Sequence, residues 1–321
     1  MKTKRILVTG AKGFLGRPLM DALLRAGYAV RAATRRQVAF PKAVETAIIP
    51  DLKNSIDWAP VLQGVDIIIH MAGLAHSNVA NDKYTEFDQI NWMATQRLAQ
   101  AAKSAGVERF VYISSVRAQI GACSTRPVRE TDEPQPNNYY GRSKLAAEQA
   151  IRAAAVPFTI FRPVVIYGPN PKGNMRTLVR LAKSPVPLPI ASFTSRRSVL
   201  GIENFISAII FALNTPATIG ELYILADSKP MTVGEILAAL RENCGCSFSL
   251  YVPQVILRLF LAACGRKDLW LRLTGDLVVD TSKFESLGWR PAKDTREGLR
   301  DTMFADDGES AATRRFSVPW S

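Results

Sequence analysis

Short apolar runs rich in β-branched residues recur through the first half of the chain and alternate with longer amphipathic stretches. Ile6-Leu7-Val8 contains no polar residue, and Asp66-Ile67-Ile68-Ile69-His70 has polar residues only at its ends. Continuous apolar runs of this length are typical of strands that are buried on both faces of a parallel sheet. The pattern predicts strands at residues 6–8, 28–33, 66–70, 110–113 and 158–161.

The stretches between these runs have the period of helices. We predict helices at residues 13–26, 91–105 and 140–154, and the first two are followed by Gly27 and Gly106, a common residue type just after a helix. Strands that alternate with helices of this length form βαβ units. The expected fold is therefore an α/β, doubly wound parallel sheet of the Rossmann type with a smaller C-terminal region.

The composition is that of an ordinary globular protein with an excess of positive charge. Of the 321 residues, 47% are apolar, and 41 Lys and Arg against 28 Asp and Glu give a net charge of +13. Because the basic residues are scattered and form no long run, the charge favours anionic small molecules over nucleic acid. The four cysteines lack zinc spacing, so no metal site is expected.

No segment predicts a secretory signal or a membrane span. The most apolar later stretch, Val255–Cys264, is interrupted by Arg258 and is shorter than the roughly 20 residues that a spanning helix needs. We therefore expect a cytoplasmic protein without a membrane span.

A glycine-rich segment joins the first predicted strand to the first predicted helix. Thr9-Gly10-Ala11-Lys12-Gly13-Phe14-Leu15-Gly16 has the spacing Gly-x-x-Gly-x-x-Gly. Glycines let backbone N–H groups approach a pyrophosphate, and the N-terminus of the following helix favours negative charge. Because a strand precedes the segment and a helix follows it, the pattern favours dinucleotide binding over a simple tight turn.

The end of the second strand bears on which dinucleotide binds. Thr34-Arg35-Arg36 stands where an NAD-binding protein usually has an acidic residue for the ribose 2′-hydroxyl. Together with Lys12, these arginines would pair with a 2′-phosphate, which favours NADP over NAD. The alternative is that Arg35 and Arg36 are solvated loop charges or stack on the adenine.

Candidate catalytic residues lie at the start of the third helix and at the end of the strand before it. Tyr140 and Lys144 are four residues apart and share a helix face. A tyrosine with its ordinary pKa of about 10 is a poor base at neutral pH. We expect the ammonium and a positive nicotinamide to lower this pKa, so that the pair exchanges a proton with a substrate hydroxyl or carbonyl. Ser114 and Ser115 end the preceding strand, at the sheet edge where ligands bind.

These segments together resemble the extended form of the short-chain dehydrogenase/reductase family. The resemblance covers the glycine loop and residues 110–115, 140–148 and 161–169. It implies that Ser115 is the catalytic serine, with Ser114 as the alternative, because Arg117-Ala118-Gln119-Ile120 replaces the family's usual Val-Tyr-Gly and leaves the register open. Asn91 matches the family's asparagine at a helix start, or is a plain N-cap.

The motifs and the resemblance imply two sets of binding residues. The expected cofactor-binding residues are Gly10, Lys12, Gly13, Phe14, Leu15, Gly16, Arg35, Arg36, Asp51, Leu52, Ala72, Gly73, Asn91, Ser114, Tyr140, Lys144 and Pro163. The expected substrate-binding residues are Ser115, Asn174 and Arg197. The alternative for Arg197 is a surface charge.

Within this family the chain is similar to enzymes of nucleotide sugars, the 4-epimerases and 4-keto-sugar reductases. The similarity lies in Arg162–Pro169, Gly173–Met175 and Arg196-Arg197. It implies hydride transfer at a sugar carbon, most simply of a UDP-sugar, and is compatible with a homodimer. Two alternatives stay open: an NADP-dependent reductase or dehydrogenase of a steroid- or flavonoid-like compound, and a cofactor sensor without catalysis. A dehydratase is disfavoured because no acidic pair follows Ser115.

Proline becomes dense after Arg162-Pro163, and the alternation of strands and helices fades. We therefore expect a dinucleotide-binding domain of residues 1–165 and about 198–216. The substrate-binding region is expected at 166–197 and 217–300. Residues 301–321 lack an apolar period and are expected to form a disordered tail.

Overall fold

The computed structural model describes residues 3–41, 43–75, 84–171, 173–184, 188–242, 251–263, 270 and 273–304. The chain divides into two compact units. The first comprises Met1–Gly121, Glu130–Pro163 and Ile209–Ile224, and the second comprises Ala122–Arg129, Val164–Ala208 and Leu225–Ser321. Compared with the boundaries expected from the sequence, residues 122–129 group with the second unit and residues 217–224 with the first.

The strands of the described chain form one large sheet and two small ones. They are β1 (Arg5–Thr9), β2 (Ala29–Thr34), β3 (Val44–Ile48), β4 (Ile67–His70), β5 (Arg109–Ile113), β6 (Phe158–Pro163), β7 (Val165–Tyr167), β8 (Arg196–Arg197), β9 (Val199–Gly201), β10 (Glu221–Leu225) and β11 (Met231–Thr232). The large sheet has seven strands in the order β10-β6-β5-β4-β1-β2-β3. Neighbouring strands from β6 to β3 are parallel, so the predicted Rossmann-type fold is confirmed.

The helices have the following bounds. They are α1 (Gly16–Arg25), α2 (Ala59–Leu62), α3 (Tyr84–Phe87), α4 (Ala94–Ser104), α5 (Tyr139–Ala153), α6 (Gly173–Lys183), α7 (Ile202–Asn214), α8 (Val233–Arg241), α9 (Gln254–Ala263), α10 (Ser282–Glu285) and α11 (Thr295–Phe304). A π-helical segment, Asp88–Met93, joins α3 to α4. No helix in the described ranges is long and apolar enough to cross a membrane.

Both faces of the large sheet are covered, which explains why its strands are apolar throughout. On one face Leu7, Ile68 and Phe110 are fully buried and pack in one cluster with Leu98 of α4 and Ile151 of α5. Burying an aliphatic or aromatic side chain of this size contributes about 1.5–3 kcal/mol. This burial stabilises the central strands, whose carboxyl ends carry the candidate site.

The strand order reverses between β1 and β4. From β1 the chain proceeds outward through β2 and β3, and it then returns to start the other half at β4. The loops that follow β1 and β4 consequently lie side by side, and the N–H of Ala72 donates to the hydroxyl of Thr9 at 3.2 Å. Ligands of doubly wound sheets bind at this switch point, outside the carboxyl ends of the strands.

The second unit contains the small sheets β7–β9 and β8–β11 and its own apolar cluster. Helices α6, α8 and α11 contribute Val179, Leu240 and Met303 to that cluster. Because Met303 is buried there, residues 301–304 form the last turn of α11 rather than part of the expected tail. Residues 305–321 lie outside the described residues.

Candidate active site

The glycine loop forms a tight turn between β1 and α1. The N–H of Gly13 donates to the carbonyl of Gly10 at 2.8 Å. Gly10 has a φ of +75°, and a Cβ there would lie 2.9 Å from the backbone nitrogen of Ala72. A Cβ on Gly16 would overlap the carbonyl oxygens of Gly10 and Ala11. Glycine is therefore required at both ends of the loop by close backbone approach.

The N-terminus of α1 suits an anionic group. Leu15 occupies the N-cap position without a capping side chain, and the first turn contains no acidic residue. The first N–H groups of a helix have no partner within the helix, and the helix dipole places partial positive charge there. Lys12 is exposed, whereas Phe14 and Leu15 are half-buried. The loop fits the pyrophosphate of a dinucleotide.

Of the two arginines expected at the ribose, Arg35 is paired with Asp51, another expected cofactor-binding residue. Arg35, which follows β2, donates from Nη1 to Oδ2 of Asp51 at 2.7 Å. The N–H of Lys53, followed by the Arg35 guanidinium, holds the pKa of the Asp51 carboxyl below its ordinary value. Arg36 is exposed, and Leu52 packs at the border of the core. The charge of Arg35 is therefore balanced by the carboxylate of Asp51, which was itself expected to bind the cofactor.

A buried hydrogen-bonded chain supports the switch point. Thr9 Oγ1 lies 2.6 Å from Nδ1 of His70, and Nε2 of His70 lies 2.9 Å from Oγ1 of Thr95. The hydroxyl of Thr95 donates to the carbonyl of Asn91 at 2.7 Å, so we assign the ring proton of His70 to Nε2. Burial, assisted by the charge of Lys144, lowers the pKa of His70 to about 3. His70 is therefore a neutral structural residue at physiological pH.

Asn91 fastens the loop after β4 to the catalytic helix. Its Nδ2 donates to the carbonyl of Leu74 and to the hydroxyl of Ser143, both at 3.0 Å, and its Oδ1 accepts from the N–H of Leu74 at 2.7 Å. The plain N-cap interpretation of Asn91 is wrong, because the helical segment begins at Tyr84 and Asn91 lies inside it. A Cβ on Gly73 would lie 2.8 Å from Oδ1 of Asn91 and 3.5 Å from Nζ of Lys144. Gly73 thus borders the catalytic pair.

Lys144 is buried on the inner face of α5. Its Nζ donates to the carbonyl of Ile113 at 2.8 Å and lies 4.6 Å from the centre of the Tyr112 ring. Burial lowers the pKa of the Lys144 amine to about 8, and the Glu148 carboxylate one turn later opposes this change. The amine is therefore held in one orientation and titrates within reach of physiological pH.

Tyr140 is half-buried in the first turn of α5. Asn138 caps this helix, because its Oδ1 accepts from the N–H of Gly141 at 2.8 Å. Burial raises the pKa of Tyr140, and the Ser115 hydroxyl and the Arg117 guanidinium lower it only in part. The expected lowering by Lys144 does not hold in this environment, because burial has the largest effect. The opposing groups come from the loop after β5.

The two serines after β5 have different environments. Ser114 is buried, and its hydroxyl donates to Oε1 of Glu148. Ser115 is half-buried, and its Oγ accepts from the N–H of Arg117 at 3.2 Å. The Ser115 hydroxyl also interacts with the phenol of Tyr140. The register that the sequence left open thus places Ser115, rather than Ser114, beside Tyr140.

A buried ion pair beneath Lys144 was missed by sequence reasoning. Arg162 of β6 donates from Nε to Oε1 of Glu148 at 2.9 Å and from Nη2 to Oε2 at 2.5 Å. Its Nη1 donates to Oε1 of Gln119. Both charged side chains are only 3% exposed. The available signal was the i, i+4 spacing of Lys144 and Glu148, which repeats that of Tyr140 and Lys144.

The remaining predicted residues lie at the sheet edge or in the second unit. Pro163 ends β6 at the edge that carries the serines. Arg197 lies in β8 of the second unit, where its Nη1 donates to the carbonyl of Ala122 at 2.8 Å. Asn174 lies in the first turn of α6, and its side chain falls outside the described part of the chain. The roles of all these residues stay predictions.

The arrangement agrees with a family defined by this chemistry. Residues 6–226 match the family model described as NAD dependent epimerase/dehydratase. The chain belongs to this family. The expected class, an NAD(P)-dependent enzyme of the extended short-chain dehydrogenase/reductase type, is thereby confirmed.

Two relatives and one solved structure illustrate what the chain is similar to. The UDP-glucose 4-epimerase of Vibrio cholerae is 32% identical over 315 residues, which cover 94% of this chain and 95% of that protein. The solved structure of MoeE5 in complex with UDP-glucuronic acid and NAD is 25% identical, has a TM-score of 0.75, and covers 94% of this chain and 98% of that one. The ceramide reductase of Caulobacter vibrioides is 32% identical over 214 residues, 66% of this chain and 61% of that protein.

Proposed function

We propose that this chain is a nucleotide-sugar 4-epimerase that keeps its dinucleotide bound during turnover. The observation that carries the proposal is the convergence of Tyr140, Ser115 and Lys144 beside a dinucleotide-binding loop at the switch point of the sheet. The similarity to a UDP-glucose 4-epimerase over nearly the full length of both chains supports a UDP-sugar as substrate.

The residues divide the proton chemistry among them. Burial raises the pKa of Tyr140 in the protein without cofactor, and the positive charge of an oxidised nicotinamide beside the phenol would lower it. Tyr140 would then accept the proton of the sugar 4-hydroxyl and return it to the keto oxygen in the second half of the reaction. The Ser115 hydroxyl hydrogen-bonds the reacting oxygen and stabilises the developing charge. Lys144 supplies positive charge from a fixed position, because Ile113 and the Tyr112 ring hold its amine. A dinucleotide held at the Gly10–Gly16 loop would supply the hydride chemistry.

We propose NAD as the dinucleotide. A free arginine at the ribose would favour the 2′-phosphate of NADP, but Arg35 is paired with Asp51 at 2.7 Å. That carboxylate would repel a 2′-phosphate. The NAD bound to MoeE5 supports the same choice. The sequence-based preference for NADP rested on Arg35, Arg36 and Lys12, without the Asp51 partner of Arg35.

The test uses the purified protein and a set of UDP-sugars. Incubation with UDP-glucose or UDP-glucuronic acid should produce the 4-epimer, detected by NMR of the anomeric protons, without added cofactor. Denaturation should release NAD at close to one equivalent per chain. Tyr140→Phe should reduce turnover by about 10³-fold while the NAD content stays unchanged, because the variant loses a proton-transfer group whose contribution is typically 10²–10⁴-fold.

Two results would contradict the proposed 4-epimerase. Near-normal turnover of Tyr140→Phe would exclude the assigned acid/base role. A protein that releases no cofactor but consumes NADPH with a 4-keto sugar would be a ketoreductase, the second candidate. The exposed Arg36 and the similarity to a ceramide reductase support that candidate.

A further inference from the structure

Helix α9 of the second unit presents large apolar side chains to solvent. The side chains of Val255, Ile256 and Leu259 are 57–69% exposed, and Tyr251, just before the helix, is 71% exposed. The inner side of α9 is apolar as well, because Leu257 packs against a buried cluster of Ile190, Phe193, Val233 and Leu237. A surface helix of a globular protein normally has a polar outer face. Apolar exposure on this scale marks an interaction surface.

Positive charge accompanies this apolar face. Leu178 of α6 packs against the same buried cluster as Leu257, so the two helices cover one piece of the core. The outer side of α6 carries Arg176, Arg180 and Lys183, all exposed, at a helical spacing of four and three residues. Arg258 is exposed within α9 itself.

Acidic residues are absent from both neighbourhoods in the sequence. Residues 171–202 contain six Lys and Arg and no Asp or Glu, and residues 243–267 contain three Lys and Arg and no Asp or Glu. The chain as a whole carries a net charge of +13. A second copy of the chain would therefore meet this surface with charge of the same sign, whereas an anionic surface would be attracted.

We propose that the outer faces of α9 and α6 form a docking surface for the anionic headgroups of a phospholipid bilayer. The apolar side chains of α9 enter the boundary between headgroups and acyl chains, and the basic side chains of α6 contact lipid phosphates. The helix lies on the bilayer, in keeping with the finding that no described helix is long and apolar enough to cross it. Each basic residue near an anionic surface strengthens binding about fivefold.

The test is co-sedimentation of the full chain with vesicles, and it needs neither substrate nor cofactor. Wild-type protein should sediment with vesicles of equal parts phosphatidylglycerol and phosphatidylcholine, bind pure phosphatidylcholine vesicles at least tenfold more weakly, and lose affinity as salt is added. The double variant Val255→Ser/Leu259→Ser and the triple variant Arg176→Gln/Arg180→Gln/Lys183→Gln should each bind the anionic vesicles at least tenfold more weakly.

Matched controls come from the first unit. Ile48→Ser alters a side chain that is 60% exposed. Arg25→Gln/Arg97→Gln/Lys103→Gln removes three exposed charges from that unit. Both controls should bind like wild type, and circular dichroism should show every variant folded. The proposal is overturned if wild type does not bind anionic vesicles, or if both control and test triple variants lose binding equally. It is also overturned if the serine double variant turns a dimer into a monomer without weakening vesicle binding.

Discussion

Replacing Glu148 by glutamine removes a buried negative charge from beneath Lys144, the proposed catalytic lysine, and changes the side-chain shape very little. The carboxylate follows Lys144 by one helical turn, and the Arg162 guanidinium binds it at 2.9 and 2.5 Å. Among the ion pairs of the described residues, Glu148 pairs with Arg162 and not with Lys144. The ammonium of Lys144 thus feels the carboxylate through space and stays directed at the sheet edge by the carbonyl of Ile113.

The size of the effect follows from the geometry of the helix. Side chains four residues apart have Cβ atoms about 5–6 Å apart. Two unit charges about 7 Å apart at an effective dielectric constant of about 20 interact by about 2 kcal/mol, which corresponds to between 1 and 2 pKa units. The pKa of Lys144, about 8 in the native protein, should therefore fall below 7 in Glu148→Gln. The neighbours of the amine on β4 and β5 are the neutral ring of His70 and the ring of Tyr112, and neither offsets the lost charge.

The assay is an NMR titration of ε-¹³C-lysine, with Lys144 assigned through Lys144→Met, beside the pH profile of kcat/KM. In Glu148→Gln the amine of Lys144 should titrate 1–2 pH units lower than in wild type. The alkaline limb of the kcat/KM profile should move down by the same amount. Arg162→Gln removes a positive charge and should therefore raise both the pKa of Lys144 and the pH of the alkaline limb. Each variant leaves a buried charge without its partner and loses about 3–5 kcal/mol of stability, so a purely structural effect cannot produce shifts of opposite sign. Glu45→Gln breaks the distant pair with Arg31 and should move neither. Coincident titrations of Glu148→Gln and wild type would refute the reasoning.

Two further predictions concern the switch point. The pKa of His70 is lowered from about 6.5 to about 3, so the unfolded chain binds the additional proton and stability falls as the pH drops through this window, by about 5 kcal/mol in total. The free energy of unfolding, measured by chemical denaturation between pH 7 and pH 4, should depend less steeply on pH in His70→Gln than in wild type. An equal dependence on pH in both proteins would contradict the assignment. Gly16→Ala places a Cβ onto the carbonyls of Gly10 and Ala11. It should weaken NAD binding by at least tenfold, about 1.4 kcal/mol, in calorimetric titrations, and normal binding would show that the loop can relax.

Three of the strands that sequence reasoning identified are buried on both faces of the sheet. β1, β4 and β5 are covered on both faces, so their apolar character is continuous and easily read. The strands β3 and β10 lie at the two edges of the sheet and were not predicted. β3 contains Glu45 and an exposed Ile48, because an edge strand needs apolar residues on only part of its surface. Edge position follows from strand order, which local pattern does not contain.

The catalytic spacing could likewise be read from the sequence, whereas the electrostatics around it could not. Tyr140 and Lys144 share a face because any helix places i and i+4 together. The pKa of Tyr140 depends first on its burial and then on Ser115 and Arg117, which approach from the loop after β5 and are distant from Tyr140 in sequence.

The pairing of Glu148 with Arg162 could not be predicted from the sequence either. Each in isolation is a charged residue in an otherwise apolar element, and a charge is stable in such a place only with a partner. Their pairing requires α5 to lie against β6, and it leaves the neighbouring Ser114 hydroxyl bound to Glu148 instead of facing Tyr140. The same packing that tolerates the buried charges therefore leaves Ser115 as the serine beside Tyr140, the proposed catalytic tyrosine.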